Sequence, residues 1–119
     1  MKSIHKLNLN QMHLLNRGFL FIQPKEAFIM WAQKNNPELL MDTNAEGSVY
    51  LIEEEFWDDE LILKQYAKKI AQQEFISIND DASTWPTCHE ISEFENLFSY
   101  ELGCTCIDLL KIPLEKEQL

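Results

Sequence analysis

Two short apolar runs, Gly18 to Ile22 and Val49 to Ile52, stand out from an otherwise mixed chain, and residues that start helices follow each at once. Runs this short, rich in aromatic and branched side chains and bounded by Pro24 or by acids, predict strands. Both faces of each run are apolar, since Val49 and Leu51 alternate with Tyr50 and Ile52 just as Phe19 and Phe21 alternate with Leu20 and Ile22. Two-sided strands of this kind belong at the centre of a sheet or in one covered on both sides.

Between and after them the period changes from two to about three and a half. From Pro24 to about Asn35, Ala27, Phe28, Trp31 and Ala32 share one helical face, with proline suited to the first turn and Asn36-Pro37 as the stop. From Asp58 to about Ile78 the same spacing recurs in Leu63, Tyr66, Ala67, Ile70, Ala71, Phe75 and Ile78. Acids at the start of this helix and Lys68 and Lys69 further along suit the helix dipole. Thr87 with Glu90 has the spacing of a capping box, opening a short helix with Ile91, Phe94, Leu97 and Phe98 as its buried stripe. A last strand is expected from about Glu101 to Leu110, with Leu102, Cys104 and Cys106 on one side.

The order is β-α-β-α-α-β, which predicts an α/β domain, with α+β as the alternative. Two layers are expected: a small mixed sheet against three helices, the first two strands parallel through a right-handed helical crossover. Helices on one side would leave the far faces of both apolar runs open unless the leader or another molecule covers them.

Length and charge narrow the picture. A chain of 119 residues holds one domain, here 16–112, with 1–15 as a leader of undefined pattern and 113–119 as a charged tail. No apolar stretch reaches the roughly 20 residues a membrane span needs, and polar residues such as Asn8, Asn10 and Gln11 interrupt any signal-peptide core. Three cysteines, Cys88, Cys104 and Cys106, form no disulfide framework, which fits a reducing, cytoplasmic setting. The net charge of −10 divides as +4 over residues 1–37 and −14 over the remainder. A field of that sign disfavours nucleic-acid and acidic-membrane partners and leaves a protein partner or self-association.

Four groups of residues invite chemistry. The densest is Glu53-Glu54-Glu55-Phe56-Trp57-Asp58-Asp59-Glu60, six acids in eight residues where a strand gives way to a helix. Carboxylates there can bind Mg²⁺ or Ca²⁺ or a basic partner, but a helix N-terminus uses acids to offset its own dipole, and no D-x-D-x-D-G calcium loop is present. Cys104 and Cys106 with Cys88 and His89 make four nominal zinc ligands, yet their spacing is not that of a zinc turn, and small-core packing is the commoner use. Arg17, the one arginine, can clamp a carboxylate or phosphate, with an ion pair to Asp108 as the plainer use. Trp85 before Pro86 forms either a binding ledge or a plug that packs a loop on the core. No nucleophile elbow, Gly-rich phosphate loop or cofactor motif occurs, so no catalytic, cofactor or metal residues are assigned.

Several of these positions together resemble a family of small uncharacterised bacterial proteins. The resemblance rests on Arg17 before a hydrophobic strand, Pro24-Lys25, Phe28 and Trp31, then Tyr50-Leu51-Ile52 with Glu54, Ile70, Trp85-Pro86, Phe94, Phe98 and Asp108-Leu109. It spans about residues 16 to 110. The family often has proline at the place of Glu53 and tryptophan at that of Leu97, positions at a strand end and on a helix face. It implies a fold and no activity. The expected function is therefore that of a small acidic, non-catalytic protein-interaction or regulatory module, self-associating or bound to a partner through Arg17, Glu53, Glu54, Glu55, Trp57, Asp58, Asp59 and Trp85. The alternatives are a small metal-dependent or thiol enzyme and an acidic immunity-type or nucleic-acid-mimic protein.

Overall fold

The computed structural model describes residues 12–39 and 45–119. Most of the leader and part of the loop from Asp42 to Gly47 therefore lie outside the described residues. The elements are β1 (His13–Leu15), β2 (Gly18–Pro24), α1 (Glu26–Asn35), β3 (Ser48–Ile52), α2 (Asp59–Ile76), a 3₁₀ turn (Ala82–Thr84), α3 (Ile91–Leu97), β4 (Phe98–Gly103) and β5 (Cys106–Asp108). Among the described residues three helices and two small sheets make a mixed α/β domain of the α+β kind, as the periodicity predicts.

Among the described residues every strand pair is antiparallel, which corrects the expected mixed sheet and parallel crossover. The three-stranded sheet has the order β3-β2-β4, and β3 begins opposite the far end of β2, with Ser48 beside Ile22 and Ile52 beside Gly18. A parallel pair would need the helical crossover to return the chain to the start of β2. Here the connection after α1, residues 36–47, is long enough to lead back along a ten-residue helix and reverse the strand. Among the described residues β3 is consequently an edge strand and β2 is central.

Three further boundaries shift. The last strand is broken at Cys104 and Thr105 into β4 and β5, and β4 starts as early as Phe98, directly after α3. Phe98 thus packs from the sheet and not from the helix. The residue capping α3 is Glu90 and not Thr87, with the Glu93 carboxylate accepting from the N–H groups of His89 (3.0 Å) and Glu90 (3.1 Å). Part of the expected leader, His13–Leu15, is β1, paired with β5.

The registers show how β1 and β5 relate to the main sheet. Leu15 faces Cys106 and Phe19 faces Gly103, so three residues on one strand span the same interval as two on the other. The register therefore shifts by one residue, an irregularity of the β-bulge kind at Asn16–Gly18, where the two-stranded sheet β1-β5 ends and the three-stranded sheet begins. Gly18 sits there, its N–H donating to Glu53 O at 3.1 Å. A Cβ there would lie 2.7 Å from Glu53 O and 2.8 Å from Gly103 O, so no larger residue fits between the flanking strands.

The core lies between the sheet and the helices. Leu20 and Ile22 of β2, Ile52 of β3 and Phe98 of β4 meet Phe28 and Ala32 of α1, Leu63, Ala67, Ile70, Ala71 and Phe75 of α2, and Phe94 and Leu97 of α3. Aromatic rings dominate its centre: Phe28 is 5.0 Å from Phe98 and 5.5 Å from Trp31, and Phe94 is 5.0 Å from Phe98. Tilted contacts at these distances suit the ring quadrupoles. Lys25 ties α1 to α3, its N–H donating to Leu97 O at 2.8 Å and its Nζ to Glu95 O at 2.7 Å.

Candidate functional site

The strongest chemical candidate of the sequence, the acidic junction, is held open to water between β3 and α2. Asp58 is the N-cap of α2, its Oδ1 accepting from the N–H groups of Glu60 (3.0 Å) and Leu61 (3.3 Å), and Asp59 and Glu60 occupy the first turn. Glu53 accepts from the Tyr66 hydroxyl at 2.6 Å. That bond holds the Glu53 carboxyl below its ordinary range and pushes the Tyr66 phenol up. Glu54 and Glu55 are exposed, and Trp57 is 98% exposed. Half of the junction is thus helix-capping and strand-tethering chemistry, and only Glu54, Glu55 and Trp57 stand free for another molecule.

The remaining candidates separate in space. Arg17 lies at the bulge with Nη1 donating to Asn16 O and Oδ1, both at 2.8 Å, while the Asp108 carboxylate accepts from the Leu110 N–H at 2.9 Å. The expected Arg17–Asp108 pair is therefore not the contact either group makes. Trp85 is half-buried, its ring 5.7 Å from Phe75 and its Nε1 donating to Asn79 O at 2.7 Å, and Trp31 Nε1 donates to Thr84 O at 2.8 Å. These two bonds pack the loop on the core, the plainer use of a tryptophan there. The small-core expectation for the cysteine pair fails at Cys104, which is exposed in the break between β4 and β5. Bending the chain at Cys104 and Thr105 turns that thiol out of the strand alternation.

Cys88 is half-buried beside a groove of about 450 Å³ lined by Lys64, Lys68, His89 and Ser92 among others. Burial, then the charge of Glu93, pushes its thiol up, which is the opposite of what a nucleophilic thiolate needs. Among the described residues no three His, Cys, Asp or Glu side chains group so as to hold a metal ion, and all three cysteines are free. Among the same residues no helix is long and apolar enough to cross a membrane.

The far face of the two apolar runs, expected from the sequence to need a cover, is the helix-free face of the sheet. Strand alternation sends Leu20, Ile22, Tyr50 and Ile52 toward the helices and Phe19, Phe21, Val49 and Leu51 away from them. The register makes these four neighbours: Phe19 stands between Leu51 and Gly103, and Phe21 between Val49 and Glu101. Val49 is 61% and Leu51 51% exposed. Phe19 is shielded because its ring lies flat over Gly103, where a Cβ would come within 2.2 Å of the ring. The two-sided hydrophobicity of both runs is the sequence signal of this face.

Comparison with family models, with curated proteins and with solved structures finds no match to this chain.

Proposed function

We propose that this protein is a small, acidic, non-catalytic protein-interaction module of the cytoplasm that docks its partner on the helix-free face of its sheet. The observation that carries this reading is the apolar set of exposed Val49 and Leu51 with half-buried Phe19 and Phe21 beside them, contiguous in register and backed by a buried core. Apolar side chains grouped on one flat face lose water on contact with another molecule, whereas the same residues scattered singly would carry no meaning. Free cysteines support a reducing compartment, and the net charge of −10 disfavours nucleic acid. Glu54, Glu55 and Trp57 form a secondary surface beside the edge of β3.

Affinity capture from the native cells tests this with two variants beside the wild type. The expected result is a protein recovered with wild type and with Glu54→Ala, and lost with Leu51→Glu. Recovery unchanged by Leu51→Glu overturns the reading. Stabilisation by Mg²⁺ or Ca²⁺ that disappears in Glu54→Ala would replace it with the metal-dependent alternative.

A further inference from the structure

We propose that the free edge of β3 takes up an extended, basic segment of a partner protein as a fourth strand of the three-stranded sheet. The inference rests on the docking reading above and adds the partner's conformation and chemistry. Its first support is the direction of the backbone groups. The Lys25 N–H donates to Leu97 O at 2.8 Å, which continues the register of β2 with β4 one step beyond Pro24 and Phe98. In an antiparallel ladder the N–H and C=O of one residue point to the same neighbour, and those of the next residue to the other. Odd-numbered residues of β2 therefore bond to β4, and Leu20 and Ile22 bond to Tyr50 and Ser48 of β3. Val49 and Leu51 are left pointing outward, and among the described residues no strand pairs with β3 on that side. Two N–H groups and two carbonyls stand in a row, the pattern that an extended backbone completes.

The second support is that this edge is unguarded. Edge strands are ordinarily blunted by lysine, proline, a bulge or a covering element, but Ser48–Ile52 has no lysine or proline and pairs with β2 without a break. At β4, the opposite edge, the outward residues are Phe98, Tyr100 and Leu102, all buried or half-buried, whereas Val49 and Leu51 are 61% and 51% exposed. Beside β3 a groove of about 270 Å³ runs against α2, lined by Tyr50, Ile52, Tyr66, Lys69, Ile70 and Gln73. Leu119 touches its rim and stays 94% exposed, so the tail leaves it open. An added strand would set its residues opposite Val49 and Leu51 on the helix-free face, and the residue opposite Tyr50 toward this groove.

The third support is charge complementarity. Exposed acids stand at both ends of β3, with Glu46 before it and Glu53, Glu54 and Glu55 directly after it. They select Lys or Arg at each end of an added segment and disfavour an acidic one. The occupant is thus a run of about seven residues, basic at both ends and apolar at alternate positions between them. A second copy of β3 fits poorly on the same ground. Antiparallel pairing of the strand with itself would bring Glu46 of each copy toward the acids that follow β3 in the other.

Amide hydrogen exchange of the full chain, followed by NMR, tests the edge before any ligand is added. The Val49 and Leu51 amides are expected to exchange about 10-fold or more faster than that of Tyr50, and equal protection overturns the free edge. The probe is then the synthetic peptide Lys-Lys-Val-Thr-Leu-Thr-Val-Lys-Lys, beside a control with glutamate in place of lysine. The lysine peptide is expected to slow exchange at Val49 and Leu51 and to bind about 10-fold or more tighter than the control, with affinity falling between about 50 and 500 mM NaCl. Val49→Pro keeps an apolar side chain, removes an N–H that the ladder does not use, and is expected to weaken binding by about 10-fold or more with circular dichroism unchanged. Protection of the two amides in the wild type decides the same point without any variant. No binding of the lysine peptide, or binding equal to the control, overturns the basic strand. Binding lost with Leu51→Ser but kept with Val49→Pro, without protection of the two amides, overturns strand addition and leaves the docking face standing. Binding that neither substitution alters overturns both readings.

Discussion

Tyr50 shows how a single side chain on an edge strand becomes coupled to the helices. Its ring points inward beside Leu20, and its hydroxyl donates to Glu74 of α2. Burial, then the hydrogen bond to Glu74 and that group's negative charge, push the phenol well above its ordinary value. Because the folded value exceeds the unfolded one, the stabilisation is complete below about pH 10 and is lost as pH rises beyond it. Tyr50→Phe is expected to cost about 1–2 kcal/mol near neutral pH, since Glu74 loses a partner in a half-buried place. The variant should also show a shallower loss of stability above pH 10, measured by urea unfolding over a pH series; a slope equal to wild type would refute the coupling. Tyr66 and Tyr100 are raised too, by Glu53 in the first case and by burial in the second, so part of the alkaline slope remains. None of this was legible in the sequence, because Tyr50 and Glu74 are separated by 24 residues and only packing brings them together. The expected pair of Arg17 and Asp108 failed for the same reason. Opposite charges near two strands give no information on where the side chains turn.

At the scale of elements, local chemistry was more readable. Asp58 is the clearest case, since an acid before an amphipathic run is an N-cap signature and the structure uses it so. Asp58→Ala is expected to lower stability by about 1 kcal/mol, seen as a fall in the urea midpoint with the slope unchanged. Loss of far more would mean that the junction has a role beyond capping. Glu90 illustrates the converse. Thr87 had the right spacing for a cap, but Pro86 and the packing of Trp85 set the loop so that the helix begins three residues later. The bulge was invisible beforehand because it is a relation between two registers, and a register exists only once strands pair.

For the whole molecule, stability rests on the aromatic centre shared by α1, α2, α3 and the three-stranded sheet. Phe28 touches Trp31, Phe75 and Phe98 and is almost fully buried. Phe28→Ala is expected to cost about 3–5 kcal/mol, a large part of the 5–15 kcal/mol typical of such a domain. Chemical denaturation would show it, and a loss under 1 kcal/mol would mean that this cluster is not the centre of the core. By itself the chain determined the helices, the apolar runs, the residues of the core and the acid-capped start of α2, because each depends on spacing along a few neighbouring residues. Tertiary structure alone decided the antiparallel direction of β3, the break at Cys104 and Thr105 and the one-residue shift of register at Asn16–Gly18. These depend on which distant segments pair and in what register, and hydrophobic periodicity is the same for a strand running in either direction. The two apolar runs announced that something must cover them; the pairing of strands showed that helices cover only one side.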